Sequence, residues 1–270
     1  MKVWVKIILA IMITFFIWFL VQMPSNDRNW EKDQKEISWA EINGPLISMH
    51  NIRNISYRNT TDYDVAYYDK TFNIEKLDSV YFMVEPFAQW EGAAHTFLSF
   101  GFGDEYLVIS IEIRKEVGEE FSLINGMLKQ YELQYVFGDE NDLIKLRSNY
   151  RHDDVYLFPI KTEKEKIISL FLDMINKANY LKDNPEFYNT VTSSCTTNIV
   201  DHVNKISPKR ISFDFRILAP GYSGMLAHEV DLIDTELSWE EAKEYFKINE
   251  RALKYANDPE FSKKIREYGS

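Results

Sequence analysis

AHTFLSFGFGDEYLVISIEIRK, residues 94–115, decides the fold. Aromatic and β-branched residues run up to a Gly-Phe-Gly-Asp turn at residues 101–104 and away from it again, the pattern of two antiparallel strands joined by a hairpin. Along the second strand Leu107, Ile109, Ile111 and Ile113 alternate with Ser110, Glu112 and Arg114, so one face is apolar and the other polar. With the turn at 101–104, positions summing to about 205–207 face each other, which sets Ser110 and Glu112 across from His95. His95 opens an apolar strand, where a buried imidazole without a partner is costly. A carboxylate at 112 would orient the ring and favour its imidazolium form, as the third member of a nucleophile triad does. The plainer alternative is a solvated strand face carrying a Glu112–Arg114 pair, beside a structural histidine.

Outward from the hairpin, PLISMHNI (45–52), NISYR (54–58), DVAYYDKTF (64–72), DSVYFMVEPF (78–87), YELQYVFG (131–138) and VYLFPI (155–160) read as further strands. The period then changes. TEKEKIISLFLDMINKANYL (162–181) places Ile167, Ile168, Phe171, Leu172, Ile175 and Ala178 on one helical face. A second helix starts at or just after Cys195, with Ile199, Val203 and Ile206 inward. Ser238 and Glu241 open a third as a capping box, and the stretch 236–270 reads as a helical tail added to the main body. Strands in the middle with helices gathered after them predict an α+β fold.

At the other end, VWVKIILAIMITFFIWFLVQM (Val3–Met23) holds one charge, Lys6, and an apolar run from Ile7 to Val21. About 20 apolar residues span the hydrocarbon core of a bilayer. The 15-residue apolar run stands at the top of the about 7–15 residues of a secretory signal, and VQMPSND lacks an A-x-A cleavage pattern, so residues 1–24 read as a retained transmembrane signal-anchor ahead of a cleaved signal, with the bulk of the chain outside the cytoplasm either way. The charged lead-in SNDRNWEKDQKEISWAEI is expected to pack only intermittently. Net charge is −11, or −13 with Lys2 and Lys6 set aside, which opposes binding to nucleic acid and to anionic headgroups. One cysteine excludes an internal disulfide and leaves a thiol free.

That thiol lies in YNTVTSSCTTNIVDHVNKI, residues 188–206. A lone cysteine is most often a small core residue. Cys195 sits instead among small polar residues where a helix begins, and unpaired N–H groups at a helix start favour the thiolate. A base must lie within about 3 Å. His202, seven residues on in the same helix, is roughly 10 Å away. His50 and His152 read as solvent-facing. His228, in LAHEVD, lacks the second histidine of a zinc-protease motif and is the weaker choice; no metal or cofactor is expected. His95 with Glu112 is the better partner.

The stretches PSNDRNW, NIRNISYR, AHTFLSFGF, ISIEIRKEVGEEFS, YELQYV, DENDLIKLRSNYR, VYLFPI, NPEFYNTVTSSCTTNIV and LAPGYSGMLAHEVDLID together resemble the N-terminal periplasmic domain of the Lnb-type lipoprotein N-acyltransferase family, over about residues 24–234. The resemblance implies a permuted papain-like thiol enzyme in which histidine precedes cysteine, on residues 25–235, with Cys195, His95 and Glu112 catalytic. Ser194, Thr196 and Asn189 flank the cysteine as candidates for substrate or oxyanion contact. Two positions depart from the family pattern: Ser194 stands where Asn usually precedes the cysteine, and Gly224 where Asp commonly follows Tyr-Ser. The implied function is acyl transfer or hydrolysis on a membrane lipid or lipoprotein through an acyl-thioester, by a single-pass protein of the bacterial inner membrane with its catalytic domain in the periplasm. A peptidase or amidase acting on cell-wall peptides and a non-enzymatic envelope binding protein are the two alternatives.

Overall fold

The computed structural model describes residues 2–268. Strands β1 (Trp39–Asn43), β2 (Leu46–Arg53), β5 (Tyr67–Asn73), β6 (Ser79–Pro86), β7 (Ala94–Phe102), β8 (Glu105–Arg114), β9 (Glu132–Gly138) and β10 (Tyr156–Pro159) form one sheet, while β3 (Ser56–Tyr57) and β4 (Tyr63–Asp64) make a separate hairpin. The large sheet runs β1-β2-β9-β8-β7-β6-β10, with β5 also paired to β2. Its ladders are antiparallel except β2–β9, which meet in parallel at Arg53–Gly138. The 94–115 hairpin forms as its pattern requires, in the register Phe97–Ser110 to Phe102–Glu105, and Gly103 takes the left-handed φ of 72° that a side chain would oppose.

Period-two alternation sends neighbouring residues of β7 and β8 to opposite faces, and both faces are covered. On one, Leu98, Phe100, Leu107, Ile109 and Ile111 pack in the core cluster that holds the buried stripe of α4 (Lys164–Asp183) and Ile199 of α5 (Cys195–Ile206). On the other, Phe97 and Val108 pack with Leu143 and Ile144 of α3 (Glu140–Lys145), Ala252 of α9 (Asn249–Lys254) and Phe261 of α10 (Phe261–Lys264). The fold is thus α+β, as the order of elements predicted, with a mainly antiparallel sheet. The polar face of β8 is not solvated: Ser110 and Arg114 are buried, Ser110 beneath the network of Glu112 and Arg147, and Arg114 beneath the lead-in, where it meets Asn26, Trp30, Gln34 and Lys35.

The C-terminal segment is woven into this second core. Ile248, Ala252, Phe261 and Ile265 are fully buried, Arg266 bridges Glu140 and Ser99, and the Tyr268 hydroxyl donates to the Leu157 carbonyl. The lead-in after the anchor is also tied down more fully than its composition predicted. Asn26 donates to the carbonyls of Leu181 and Lys182, the Ser25 N–H donates to Glu132, and Trp30 is buried beneath the Arg114 guanidinium.

Helix α1 (Lys2–Val21) is long and apolar enough to cross a membrane and is not covered by the rest of the chain. Its last turn is held by Lys129, whose ammonium donates to the Phe19 carbonyl at 3.2 Å and lies over the Phe19 ring.

Candidate active site

Residues 188–197 build the thiol's position from the backbone up. Asn189 accepts from the N–H groups of Val191 and Thr192 and pairs its own backbone with Ser193, folding the chain into the tight turn that delivers Ser194. Ser194 is the N-cap of α5: its hydroxyl accepts from the Thr197 N–H, and the Thr197 hydroxyl accepts from the Ser194 N–H. This reciprocal cap leaves the N–H groups of Cys195 and Thr196 without an acceptor among the described residues. Cys195 is therefore the first residue of a 12-residue helix, buried to 5% exposure, beside two unused donors. The Thr196 hydroxyl meets the Thr96 hydroxyl of β7 at 2.9 Å and pins the helix start to the sheet.

His95 precedes Thr96, so its side chain leaves the opposite face of β7. The two faces become continuous because the sheet splits here. The β7–β8 ladder ends at Phe97–Ser110, whereas β6–β7 runs on to Pro86–Ala94 and β8–β9 to Arg114–Glu132. One cavity of about 880 Å³ occupies this seam and is lined by Cys195, Ser194, His95, Glu112 and Arg147. Cys195, His95, Glu112 and Ser194 thus line a single cleft, but the hydrogen-bond contact of the Cys195 sulfur is the Thr196 hydroxyl at 3.8 Å, and none among the described residues joins it to His95, so the expected approach of base to thiol within about 3 Å is not formed. Thr196 lines a separate apolar cavity, and the Asn189 side chain is committed to its turn.

Around His95 the hydrogen bonds fix a direction. The Ser110 hydroxyl donates to Glu112 Oε1 at 2.9 Å and so presents its oxygen as acceptor to His95 Nε2 at 2.8 Å. That order assigns the proton to Nε2 and leaves Nδ1, which has no hydrogen-bond partner among the described residues, as the basic nitrogen. Glu112 does not touch the ring directly; Oε1 stands 3.9 Å from Nε2. The expected orienting carboxylate thus acts through Ser110.

Glu112 is in turn embedded among arginines. Arg147 Nη2 donates to it at 3.1 Å while Arg147 Nε holds Glu85, and Arg53, bidentate to Asp142, approaches Glu112 to 3.8 Å. Burial pushes the Glu112 carboxyl up, but Arg53 and Arg147 together outweigh it and hold the group at about 2. Burial likewise dominates at His95, seconded by the Arg147 charge, and against the pull of Glu112 it holds the imidazole at about 3. The resting histidine is neutral, so the expected imidazolium form gives way to a neutral base. Burial raises Glu85 to about 7 despite Arg147 and Arg151.

Reading the sequence for a nucleophile, a base and a carboxylate missed Ser110 as the bridge and Arg147, Arg53 and Glu85 as its electrostatic frame. The available signal was an arginine in phase with apolar residues in DLIKLRS: the helix widens to a π-turn over Leu146–Arg151, turning Leu146, Arg147 and Ser148 inward together. Of the other four histidines, His152 is exposed and three are engaged elsewhere. His50 pairs with Asp69, His202 lies between Tyr135 and Asp173, and His228 meets the Leu237 carbonyl. Among the described residues no group of three or more His, Cys, Asp and Glu side chains is placed to hold a metal ion.

An antiparallel sheet split at a buried thiol, with a neutral histidine and a relay on the facing strand, defines an α+β domain with a thiol-centred cleft. The family model for the Lnb N-terminal periplasmic domain matches residues 63–221, more than half the chain and all of this cleft's reactive residues, and the chain belongs to that family. It is accordingly an extracytoplasmic domain joined to one N-terminal helix able to cross a membrane. Neither the curated proteins nor the solved structures give a match. At Gly224 a Cβ would come within 2.9 Å of the Trp239 ring and 3.1 Å of Phe158, so a side chain there requires the Trp239 ring to shift.

Proposed function

We propose that this protein is a membrane-anchored periplasmic thiol enzyme of the inner membrane that forms an acyl-thioester on Cys195 and passes the acyl group to an amine or to water. The carrying observation is that Cys195, at a helix start with free N–H donors, shares one cleft with a neutral histidine whose unbonded nitrogen is Nδ1. Nδ1 takes the thiol proton as sulfur attacks the acyl carbonyl. The Cys195 N–H receives the developing oxyanion, a contact of the kind worth about 3–4 kcal/mol in comparable sites. The imidazolium then returns its proton to the departing alcohol or amine, and Ser110 with Glu112 steadies the ring through the transfer. An amine or water, deprotonated by His95, releases the acyl group and restores the thiol.

The arrangement also supports the permuted papain-like reading, since histidine and glutamate come from strands that precede the cysteine helix. The anchor supports a lipid or lipoprotein substrate, because it confines the cleft to the neighbourhood of the bilayer. The deciding experiment is the intact mass of the protein purified from its membrane. A fatty-acyl adduct that hydroxylamine removes and Cys195→Ala abolishes is expected. An adduct of peptide mass alone would transfer the protein to the cell-wall peptidases. A Cys195 that reacts with thiol probes no faster than free cysteine, in cells where Cys195→Ala has no phenotype, would mark a binding module.

A further inference from the structure

Outside α1, one group of exposed apolar side chains gathers on the rim of the Cys195 cleft. Phe87, Trp90, Phe121, Leu123, Ile124 and Met127 are 38–63% exposed, and the first four line the cleft itself. They come from two loops, 87–93 and 117–122, and from α2 (Leu123–Met127), and they form one surface: the Phe87 and Phe121 rings meet edge to face at 5.6 Å. Core clusters do not claim them, and a contiguous exposed apolar patch of this kind marks an interaction site.

The position of this rim identifies its partner. Two residues beyond Met127, Lys129 grips the last turn of the anchor helix through the Phe19 carbonyl and ring. The rim is therefore continuous with the segment that would enter the bilayer, and Phe, Trp, Leu, Ile and Met are the side chains that settle at a membrane interface. Glu91, Glu119 and Glu120 border the rim and the whole chain carries −11, so attraction to anionic headgroups is not the source of binding. We infer that the rim formed by residues 87–93 and 117–127 is a second membrane contact that seats the mouth of the Cys195 cleft at the lipid interface by apolar insertion. A bilayer-resident acyl donor then reaches the thiol without leaving the membrane; this consequence rests on the acyl-transfer reading above, while the docking itself does not.

The test uses the full-length chain with Cys195→Ala, which leaves no other cysteine, reconstituted into phosphatidylethanolamine–phosphatidylglycerol vesicles. Nitroxide labels are carried one at a time by Trp90→Cys, Phe121→Cys, Ile124→Cys and, outside the rim on α9, Leu253→Cys. Labels at 90, 121 and 124 are expected to collide more with oxygen than with a water-soluble nickel chelate, the label at 253 less, and added salt should leave this unchanged. Rim labels as open to nickel as the label at 253 would overturn the inference. So would rim labels shielded from both reagents, which would assign the surface to a protein or to a second copy of the chain. In the chain with its thiol restored, Ile124→Ser with Met127→Ser, both on the rim but outside the cleft lining, should slow adduct formation at least tenfold from a vesicle-embedded phospholipid and less than twofold from a short-chain soluble thioester. Equal loss on both donors would overturn the delivery role. Absence of any adduct from either donor would reject the acyl-transfer reading while the collision data still decide the docking.

Discussion

Ser110→Ala isolates the relay that distinguishes a working base from a structural histidine. Ser110 is fully buried, accepts from His95 at 2.8 Å and donates to Glu112 at 2.9 Å. Without the hydroxyl, the nearest acceptor for Nε2–H is Glu112 Oε1 at 3.9 Å, beyond hydrogen-bond range. Leaving a buried donor unpaired costs about 1–3 kcal/mol. The ring can relieve this by turning, or by moving its proton to Nδ1, and either response removes the basic nitrogen that the proposed attack requires. Felt wholly in the attack step, that energy corresponds to a roughly 5- to 150-fold loss of rate. Because Cys195 is the sole cysteine, iodoacetamide alkylation followed by intact mass reads the step without knowledge of the substrate. Ser110→Thr keeps the hydroxyl and should stay within about threefold of wild type, which separates loss of the relay from loss of packing. Should Ser110→Ala alkylate at the wild-type rate with an unchanged pH profile and an intact thermal transition, the relay does not position the base and the tautomer assigned here is wrong.

Arg147→Met leaves Glu85 and Glu112 buried without their shared cation, and a loss of about 3–5 kcal/mol in denaturant unfolding is expected; a loss under about 1 kcal/mol would show that Arg53 and Arg151 suffice. In the pair Thr96→Val and Thr196→Val each single change should cost about 0.5–1.5 kcal/mol, with the double costing less than their sum because both remove one bond. Strict additivity would mean that the threonines act separately. His95 is held at about 3 when folded against 6.5 when free, so its contribution to stability is complete above 6.5 and is lost as pH falls toward 3. Over that window the slope reaches about 1.4 kcal/mol per pH unit. His95→Gln should lessen the acid sensitivity of the melting temperature, and parallel curves for variant and wild type from pH 7 to pH 4 would contradict a buried neutral imidazole. Phe261→Ala empties a fully buried ring site in the second core and should cost about 3–5 kcal/mol; a near-neutral result would return the C-terminal helices to the status of an appendage.

What could be read from the sequence was what depends on neighbours in the chain. The turn at 101–104 set the hairpin register, and the observed Phe97–Ser110 pair lies within the range its spacing predicted. Helix phase placed Ile167, Phe171, Ile175 and Ala178 in the core, and local chemistry marked the start of α5 and the Ser238–Glu241 cap. Partners separated by long stretches of chain stayed hidden. Alternation along β8 marks Ser110 and Glu112 as the polar face, but whether that face meets water depends on residues 140–151 and 246–268, which no local pattern connects to it. The same distance concealed the burial of the histidine and the arginines around it, which together keep the imidazole neutral. A carboxylate facing an imidazole implies an ion pair only while nothing else is near; here Arg147 and Arg53 claim the carboxylate first.

One half of the site is held by segments beyond the family match. The thiol belongs to the core cluster between the sheet and helices α4 and α5, whereas the histidine leaves the other face of β7, beside Phe97. That second core includes Leu143, Ile144, Ile248, Ala252 and Phe261, so the residues that fix Arg147 are themselves held by segments beyond residue 221. Asn149 donates to the Ala252 carbonyl, and the Ile248 N–H donates to the Val155 carbonyl, joining the π-turn and the strand entry beside it to α9 and its approach. The two halves of the reactive centre are thus stabilised by different cores, which meet at the seam where β7 and β8 separate and again at Tyr268, packed against both. Changes to either core alter the distance across that seam before they alter the chemistry of either residue. Reactivity of the thiol is therefore a sensitive measure of how the C-terminal helices pack, although none of their residues lines the cleft.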